Sequence, residues 1–183
     1  MNNKNKTAVF GGGCFWCTEA IFQRLRGVIS VESGYSGGTV EDPTYEEVSA
    51  GTTGHVEAAR IEFDPEQIKF EDLLNVFFAT HDPTQKNQQG HDVGPQYQST
   101  VFYMDDEQKK AVEDFIKKLE EDKTFDMPIQ TVVREFTEFY PAESYHRNYY
   151  NNNPSAGYCQ FVIDPKISKL RAKFAPLLKP EEN

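Results

Sequence analysis

The chain has 183 residues, of which 38% are hydrophobic and 13% aromatic, so it is long enough to bury a core without disulfides or a structural metal. Its formal charge is −10 at pH 7 and no cluster of Lys or Arg stands out, which argues against nucleic acid and anionic membranes as partners. Because the N-terminus lacks the apolar run of a signal peptide and no segment approaches the roughly 18 apolar residues of a membrane span, we expect a cytoplasmic protein with reduced cysteines.

The first predicted elements are a strand in TAVFGGG and a helix in CFWCTEAIFQRL. The helix has one apolar face, with Cys14 in its first turn and Cys17 one turn further on. Two more strands follow in GVISVESGYSGG and GHVEAARIEFDP. Alternation in the second of them puts Glu57 on the same side as Ile61 and Phe63, so a carboxyl group shares a face with apolar side chains.

Helical spacing returns in FEDLLNVFFATH and, with a clear amphipathic stripe, in DDEQKKAVEDFIKKLEED. The segments YQSTVFYM and PIQTVVREF predict strands. Between FEDLLNVFFATH and YQSTVFYM, the segment DPTQKNQQGHDVGPQ has almost nothing to bury and is expected to be a functional or disordered loop. After a short helical stretch around PAESYHRNYY, the turn formers of NNNPSAGYCQ predict irregular structure.

This order of elements predicts an α+β fold. We expect a two-layer α/β sandwich with a central mixed sheet, ferredoxin-like in kind, and a long irregular C-terminal tail. No linker or internal repeat divides the sequence, which predicts a single domain over residues 1–183 with an irregular segment over about residues 151–183.

Three cysteines offer thiol chemistry. At a helix N-terminus Cys14 would meet unpaired N–H groups and the positive end of the helix dipole, the setting of an activated thiolate, although most free cysteines are buried structural residues. Cys17 is expected to pack, yet C-x-x-C is also the spacing of thiol–disulfide oxidoreductases, and that alternative stays open. Cys159 follows a segment expected to be flexible, where its thiol could resolve an oxidised cysteine or be incidental.

Other side chains are candidates for acid–base and metal chemistry. Glu57 suggests a general acid, because a carboxyl group on an apolar face favours its protonated form, although it could equally be a strand-end carboxylate that reaches water. Tyr45 and Tyr97 could donate their hydroxyl protons, but such tyrosines more often pack. The four histidines have no metal-ligand spacing with the cysteines, so we expect no metal. His146 lies far enough after Cys14 for a papain-like pair, but the pattern around Cys14 is not the papain one.

The chain resembles the methionine sulfoxide reductase A family. The resemblance is carried, in the family's order and over nearly all of the chain, by GGGCFWCTEAIF, SGYSGG, PTYEEVSAGTTGHVEAARIEFDP, HDPTQKNQQGHDVGPQYQSTVFY, FYPAESYHRNYY and GYCQFVIDPK. It implies an oxidoreductase that reduces methionine S-sulfoxide, free or in proteins, and so repairs oxidative damage. It also implies a catalytic domain that needs no metal or other cofactor, and we expect the chain to be a monomer.

The resemblance also implies residue roles. Cys14 would be the nucleophile, Glu57 the acid that protonates the sulfoxide oxygen, and Cys159 the resolving thiol that forms a disulfide with Cys14. Thioredoxin would then reduce this disulfide. Five residues would bind substrate: Tyr45 and Tyr97 at the oxygen, Phe15 and Trp16 at the methyl group, and Asp92 on the polar side.

Two positions depart from the family's pattern. His91 stands where Asn is expected and Gln98 where Arg often follows the Tyr, which puts the polarity around the site in doubt. Two alternatives remain from the sequence: a C-x-x-C oxidoreductase in which Cys14 pairs with Cys17, and a non-catalytic module whose aromatic pocket holds oxidised methionine.

Overall fold

Strands and helices alternate along the chain in a computed structural model that describes residues 4–180. The strands are β1 (Lys6–Gly11), β2 (Val28–Ser36), β3 (Val56–Phe63), β4 (Gln88–Gln89), β5 (Asp92–Val93), β6 (Thr100–Tyr103), β7 (Val132–Glu135) and β8 (Phe139–Pro141). The α-helices are α1 (Phe15–Phe22), α2 (Tyr45–Ser49), α3 (Phe70–Thr80), α4 (Asp106–Glu121), α5 (Tyr149–Asn152) and α6 (Asp164–Phe174). Single turns of 3₁₀-helix lie at Pro95–Tyr97, Ser144–His146 and Ala175–Leu177, and a π-helix lies at Cys159–Ile163.

Six of the strands form one mixed sheet in the order β7-β6-β1-β3-β2-β8. All neighbours are antiparallel except β6 and β7, which are parallel. Strands β4 and β5 form a separate hairpin. The predicted mixed α+β fold is therefore confirmed, and each strand and helix predicted from the sequence pattern is present.

The helices α1, α3, α4 and α6 pack on one face of this sheet. Their shared core includes the ring of Phe10 from β1, which stacks on Phe77 of α3 with ring centroids 4.8 Å apart. Burial of each such side chain stabilises the fold by about 1.5–3 kcal/mol. Ile61 and Phe63 lie in this core whereas Val56 and Ala58 lie in a smaller cluster, which confirms the predicted alternation in β3.

The antiparallel pairing of β1 with β3 creates the position of the functional site. The last residue of β1, Gly11, lies beside the first residues of β3, since Phe10 pairs with Ala59 and β3 begins at Val56. On the other side of β3, Tyr35 pairs with Glu57. The loop that leaves β1 and the carboxyl group of Glu57 are therefore brought to the same end of the sheet.

The C-terminal segment is not the irregular tail predicted from the sequence. Residues 159–174 are helical, and Ile163, Ile167, Leu170 and Phe174 form a buried stripe against the core. The turn formers before this segment and Pro165 hid the stripe, although proline is tolerated in the first turn of a helix, where its missing N–H would be unpaired anyway. Only residues 153–156 keep the predicted irregular character, and residues 181–183 lie outside the described part of the chain.

Within residues 4–180, no helix is long and apolar enough to cross a membrane.

Candidate active site

The thiol of Cys14 is held where β1 turns into α1. Cys14 is the N-cap of α1, and Gly13 before it has φ +92°, a conformation that favours glycine. A Cβ at Gly13 would also lie 2.6 Å from the Cβ of Gln89 on β4, so the β4–β5 hairpin packs directly against this turn. Cys14 is 8% exposed. The glycine turn thus fixes the backbone around a thiol that is nearly buried.

Glu57 is a buried carboxyl group beside this turn. It is 2% exposed, and the backbone N–H of Phe15 donates to its Oε2 at 3.0 Å. Burial raises the pKa of Glu57 to about 8, helped by the negative charge of Asp92 and opposed by the hydrogen bond from Phe15. Glu57 therefore keeps its proton at neutral pH, and it is held by the backbone N–H of Phe15, the residue that follows Cys14.

The Cys14 and Cys17 thiols are hydrogen-bonded to each other and titrate as a pair. Burial, the hydrogen bond to Cys17 and the charge of Glu57 raise the pKa of Cys14 well above its usual value. The hydrogen bond with Cys14 lowers the pKa of Cys17 to about 6 in spite of its burial. The helix N-terminus was expected to activate the Cys14 thiol, and in the free protein burial opposes this by raising its pKa. Cys17 packs as predicted, but it is not electrostatically inert.

Tyr45 and Tyr97 lie close enough to Glu57 to be affected by its charge. Tyr45 opens α2, and Tyr97 ends the 3₁₀ turn that packs on β3. Burial raises the pKa of both phenols, and the charge of Glu57 raises it further. Both hydroxyls are therefore protonated donors at neutral pH, in the same neighbourhood as Glu57.

The two aromatic residues after Cys14 have different surroundings. Phe15 is fully buried, with its ring centroid 5.8 Å from that of Tyr35. Trp16 is half-buried and stacks on Tyr149 at a centroid distance of 3.7 Å and an interplanar angle of 5°. Its indole N–H donates to Nδ1 of His146 at 3.0 Å. Trp16 thus presents a fixed apolar surface near Cys14, and it packs against the buried cluster that contains Phe15.

His146 is not the partner of a nucleophilic cysteine. Its Nδ1 accepts from Trp16, which places the imidazole proton on Nε2, 4.0 Å from the Glu143 carboxylate. Burial lowers the pKa of His146, so the ring is neutral at pH 7. No hydrogen bond joins it to a cysteine among residues 4–180, which removes the papain-like alternative.

Glu143 links three tyrosines around the site, a role that was not predicted from the sequence. Its carboxylate accepts from the Tyr35 hydroxyl at 3.0 Å, from the backbone N–H of Tyr45 at 3.2 Å and from the Tyr145 hydroxyl at 3.2 Å. These bonds tie β2 and α2 to the segment after β8. Only the density of aromatic and polar residues in PAESYHRNYY pointed to this region.

Asp92 is connected to the cysteines of the site by the side chain of Tyr158. The Tyr158 hydroxyl donates to Oδ2 of Asp92 at 2.7 Å and lies 3.7 Å from the Cys17 sulfur. Tyr158 also packs edge-on against Trp16, with centroids 5.6 Å apart. Tyr158 was not singled out from the sequence, and it couples the segment that carries Cys159 to the β4–β5 hairpin.

Cys159 is fully buried at the start of the π-helix and belongs to the same core as Cys14 and Cys17. Burial and the charge of Asp164 raise the pKa of its thiol. All three cysteines are free thiols. The segment that contains Cys159 was expected to be flexible, but it is a packed helical turn.

The two positions that depart from the family's pattern lie at different depths. His91 is exposed at the tip of the β4–β5 hairpin. Gln98 is buried: it accepts from the backbone N–H of Asn87 at 2.6 Å and donates to the carbonyl of Gln130 at 2.9 Å. Gln98 therefore holds the polar loop, which is ordered, against the edge of the sheet.

No group of three or more His, Cys, Asp and Glu side chains between residues 4 and 180 could hold a metal ion.

Comparison with known proteins matches this geometry to a family. The family model described as peptide methionine sulfoxide reductase matches residues 6–177. The chain belongs to the peptide methionine sulfoxide reductase family. It is therefore an oxidoreductase.

Proteins of this reductase family in bacteria are close in sequence. A peptide methionine sulfoxide reductase MsrA of Deinococcus radiodurans is 54% identical over 172 residues, which cover 94% of this chain and 84% of that protein. One of Thermus thermophilus is 53% identical over 173 residues, covering 94% and 97%. Among solved structures, Mxr1 of Saccharomyces cerevisiae in reduced form has a TM-score of 0.78 at 29% identity, covering 87% of this chain and 91% of that one. Mxr1 in complex with Trx2 has a TM-score of 0.55 at 21% identity, covering 81% and 87%.

Proposed function

We propose that this chain reduces methionine S-sulfoxide, free or in proteins, to methionine, with Cys14 as nucleophile, Glu57 as general acid and Cys159 as resolving thiol. Glu57 is the observation that carries the proposal. A carboxyl group that still holds its proton at neutral pH, bonded to the backbone next to a cysteine, is what a poor leaving oxygen requires.

The chemical step conserves protons. Cys14 gives up its proton and attacks the sulfoxide sulfur, while Glu57 protonates the oxygen. The hydroxyl group then passes to the Cys14 sulfur, methionine leaves, and Glu57 regains the proton that Cys14 lost. The sulfoxide is reduced by two electrons and Cys14 is oxidised to a sulfenic acid. Because the pKa of Cys14 is raised by burial in the free protein, the thiolate forms only when the bound, polarised sulfoxide favours it.

Five further residues would bind the substrate. Tyr45 and Tyr97 keep their protons and donate to the sulfoxide oxygen beside Glu57. Trp16, supported by Phe15, receives the methyl group on sulfur, and Asp92 holds the polar side through Tyr158. Fixed places for the oxygen and the methyl group, together with the direction from which Cys14 attacks, define three positions around the sulfur, which would account for selection of the S epimer.

Cys159 would complete the half-reaction. Its thiol displaces water from the Cys14 sulfenic acid and forms a disulfide, which thioredoxin reduces by thiol exchange. Because Cys159 is fully buried in the reduced state, the segment from Asn153 to Ile163 has to rearrange. The Mxr1–Trx2 complex supports thioredoxin as the partner.

The proposal covers the setting of the reaction as well. We place one catalytic domain over the whole chain, since α6 shares the core of α1 and α3, and the order β6-β1-β3-β2 is compatible with a ferredoxin-like fold. A monomer in the cytoplasm fits three thiols that stay free.

A single-turnover assay tests the proposal. Reduced protein is mixed with methionine S-sulfoxide without any other reductant, and methionine and remaining thiols are counted. We expect one methionine for each chain and the loss of two thiols, with no methionine from Cys14→Ser. The R epimer is the matched control substrate and should give none. A protein that binds the S-sulfoxide but forms no methionine would be a binding module, and the proposal would be wrong.

A further inference from the structure

Cys159 and Phe161 lie two residues apart in the same π-helix and have opposite exposures. Cys159 is 0% exposed, whereas Phe161 is 81% exposed, the highest value among the exposed large hydrophobic residues. An aromatic ring in water costs free energy unless a partner covers it. The chemistry proposed for Cys159 supplies a reason for a partner to approach this turn.

A protein reductant has to reach the Cys159 sulfur. Its thiolate forms a new S–S bond of ~2.0 Å with Cys159 Sγ, so it must cover the protein surface for several ångströms around that atom. Phe161, in the same helical turn, falls inside that footprint. A small dithiol such as dithiothreitol covers almost no surface and would not need the ring.

The surface beside Phe161 has the character of an interface. Pro165, one turn further along, is exposed and lines a cavity of about 610 Å³ together with Met127, which is also exposed. Lys166 and Lys169 line the same cavity, and no salt bridge forms on either lysine within residues 4–180. Asp82 and Asp126 line the cavity with these lysines, so its border carries charges of both signs. The exposed apolar residues Phe161, Pro165 and Met127 fit a partner that is apolar around its cysteine.

The turn that bears Phe161 can also be released. Tyr158 ties it to Asp92 by one hydrogen bond, and the exposed residues Pro154 and Ser155 lead into it. A π-helical turn exchanges its hydrogen bonds with an α-helical one by a shift of one residue. A protein that binds Phe161 thus holds the segment that has to move.

We propose that Phe161 is the anchor by which thioredoxin docks on this reductase, an inference that rests on the proposed function. One thioredoxin thiolate attacks Cys159 of the Cys14–Cys159 disulfide and releases Cys14 as a thiol. The second thioredoxin thiol then breaks the mixed disulfide and releases Cys159. Two electrons pass to the reductase, and thioredoxin is left with a disulfide.

Steady-state kinetics with two reductants test this inference. Phe161→Ala is compared with wild type, using thioredoxin or dithiothreitol as the only reductant. We expect the KM for thioredoxin to rise at least about tenfold, the size of an aromatic anchor's contribution, and the rate with dithiothreitol to be unchanged. Phe161→Tyr, which keeps the ring, should restore the KM.

Ile29→Ala is the matched control. Ile29 is also an exposed apolar residue, at 54%, but it lies at the far end of β2 from Tyr35 and Glu57. Its KM for thioredoxin should equal that of wild type. An unchanged KM in Phe161→Ala, or equal losses with both reductants, would overturn the docking site while leaving the proposed function standing. Absence of turnover in wild type with dithiothreitol would overturn the proposed function and this inference with it.

Discussion

The two halves of the site are held in place by different means. Cys14 lies in the turn that follows β1 and Glu57 lies near the start of β3, and five residue pairs hold these two strands together. Tyr158 and Cys159 come from the C-terminal segment, which packs on the core through side chains and is joined to the β4–β5 hairpin by the hydrogen bond from Tyr158 to Asp92. We call these the sheet half and the C-terminal half.

The difference follows the two steps of the proposed reaction. Attack and proton transfer need atoms fixed within a few tenths of an ångström, which strand pairing provides. Resolution needs a sulfur that travels, so the segment that carries it should open at lower free energy than the sheet. The predictions below test this contrast, from the largest expected effect to the smallest.

The largest effect is expected in the sheet half, from Glu57→Gln. The amide has nearly the same shape but no acidic proton, so the rate of methionine formation in a single turnover should fall roughly 10²- to 10³-fold. Asp92→Asn is the matched change at the contact with the C-terminal half, because Asp92 of β5 is half-exposed and binds that half through Tyr158. It should cost less than about tenfold, measured as the same rate. Equal losses in the two variants would contradict the contrast.

The sheet half should also determine how protein stability depends on pH, because it contains Glu57. The pKa of Glu57 is raised from 4.5 to about 8, so the folded state binds one proton more than the unfolded state between these values. Its contribution is fully present below pH 4.5 and is lost as the pH rises through 8. Thermal melting of wild type and Glu57→Gln should therefore show the variant gaining in relative stability between pH 5 and pH 9.

The rate should follow the same group, because only protonated Glu57 can donate. Methionine formation by wild type should decline above pH 8. A rate that rises from pH 7 to pH 9 would show that release of the Cys14 proton, and not donation by Glu57, controls the step.

The smallest effect is expected at Cys17, where the two halves meet. Its sulfur contacts both the Cys14 thiol and the Tyr158 hydroxyl, yet the proposed reaction does not consume it. Cys17→Ser keeps a hydrogen-bonding group there, and turnover with thioredoxin should change by no more than about threefold. Abolished turnover would favour the C-x-x-C oxidoreductase, in which Cys17 is the redox partner.

More of the sheet half than of the C-terminal half could be predicted from the sequence. Period-two alternation in β3 placed Glu57 on the buried face, because strand periodicity is a local property. The helix α6 was missed, since Pro165 and the turn formers before it mask a stripe that starts at Ile163.

Electrostatics and long-range contacts could not be predicted locally. The pKa of Cys14 is raised by burial under parts of the chain far from the GGGC turn. The position of Cys14 at a helix N-terminus does not reveal this burial. The long-range hydrogen bonds of Glu143, His146 and Tyr158 join residues 66 to 141 positions apart, such as Asp92 with Tyr158 and Cys17 with Tyr158. Only the resemblance to a family brought Cys159 into the proposed reaction.

Disulfide mapping after one turnover tests the central claim most directly. Reduced protein is given one equivalent of methionine S-sulfoxide, alkylated, digested and analysed by mass spectrometry. The account predicts a Cys14–Cys159 disulfide with Cys17 alkylated, and in Cys159→Ser one methionine together with a sulfenic acid on Cys14. A Cys14–Cys17 disulfide in wild type, with Cys159 alkylated, would contradict it.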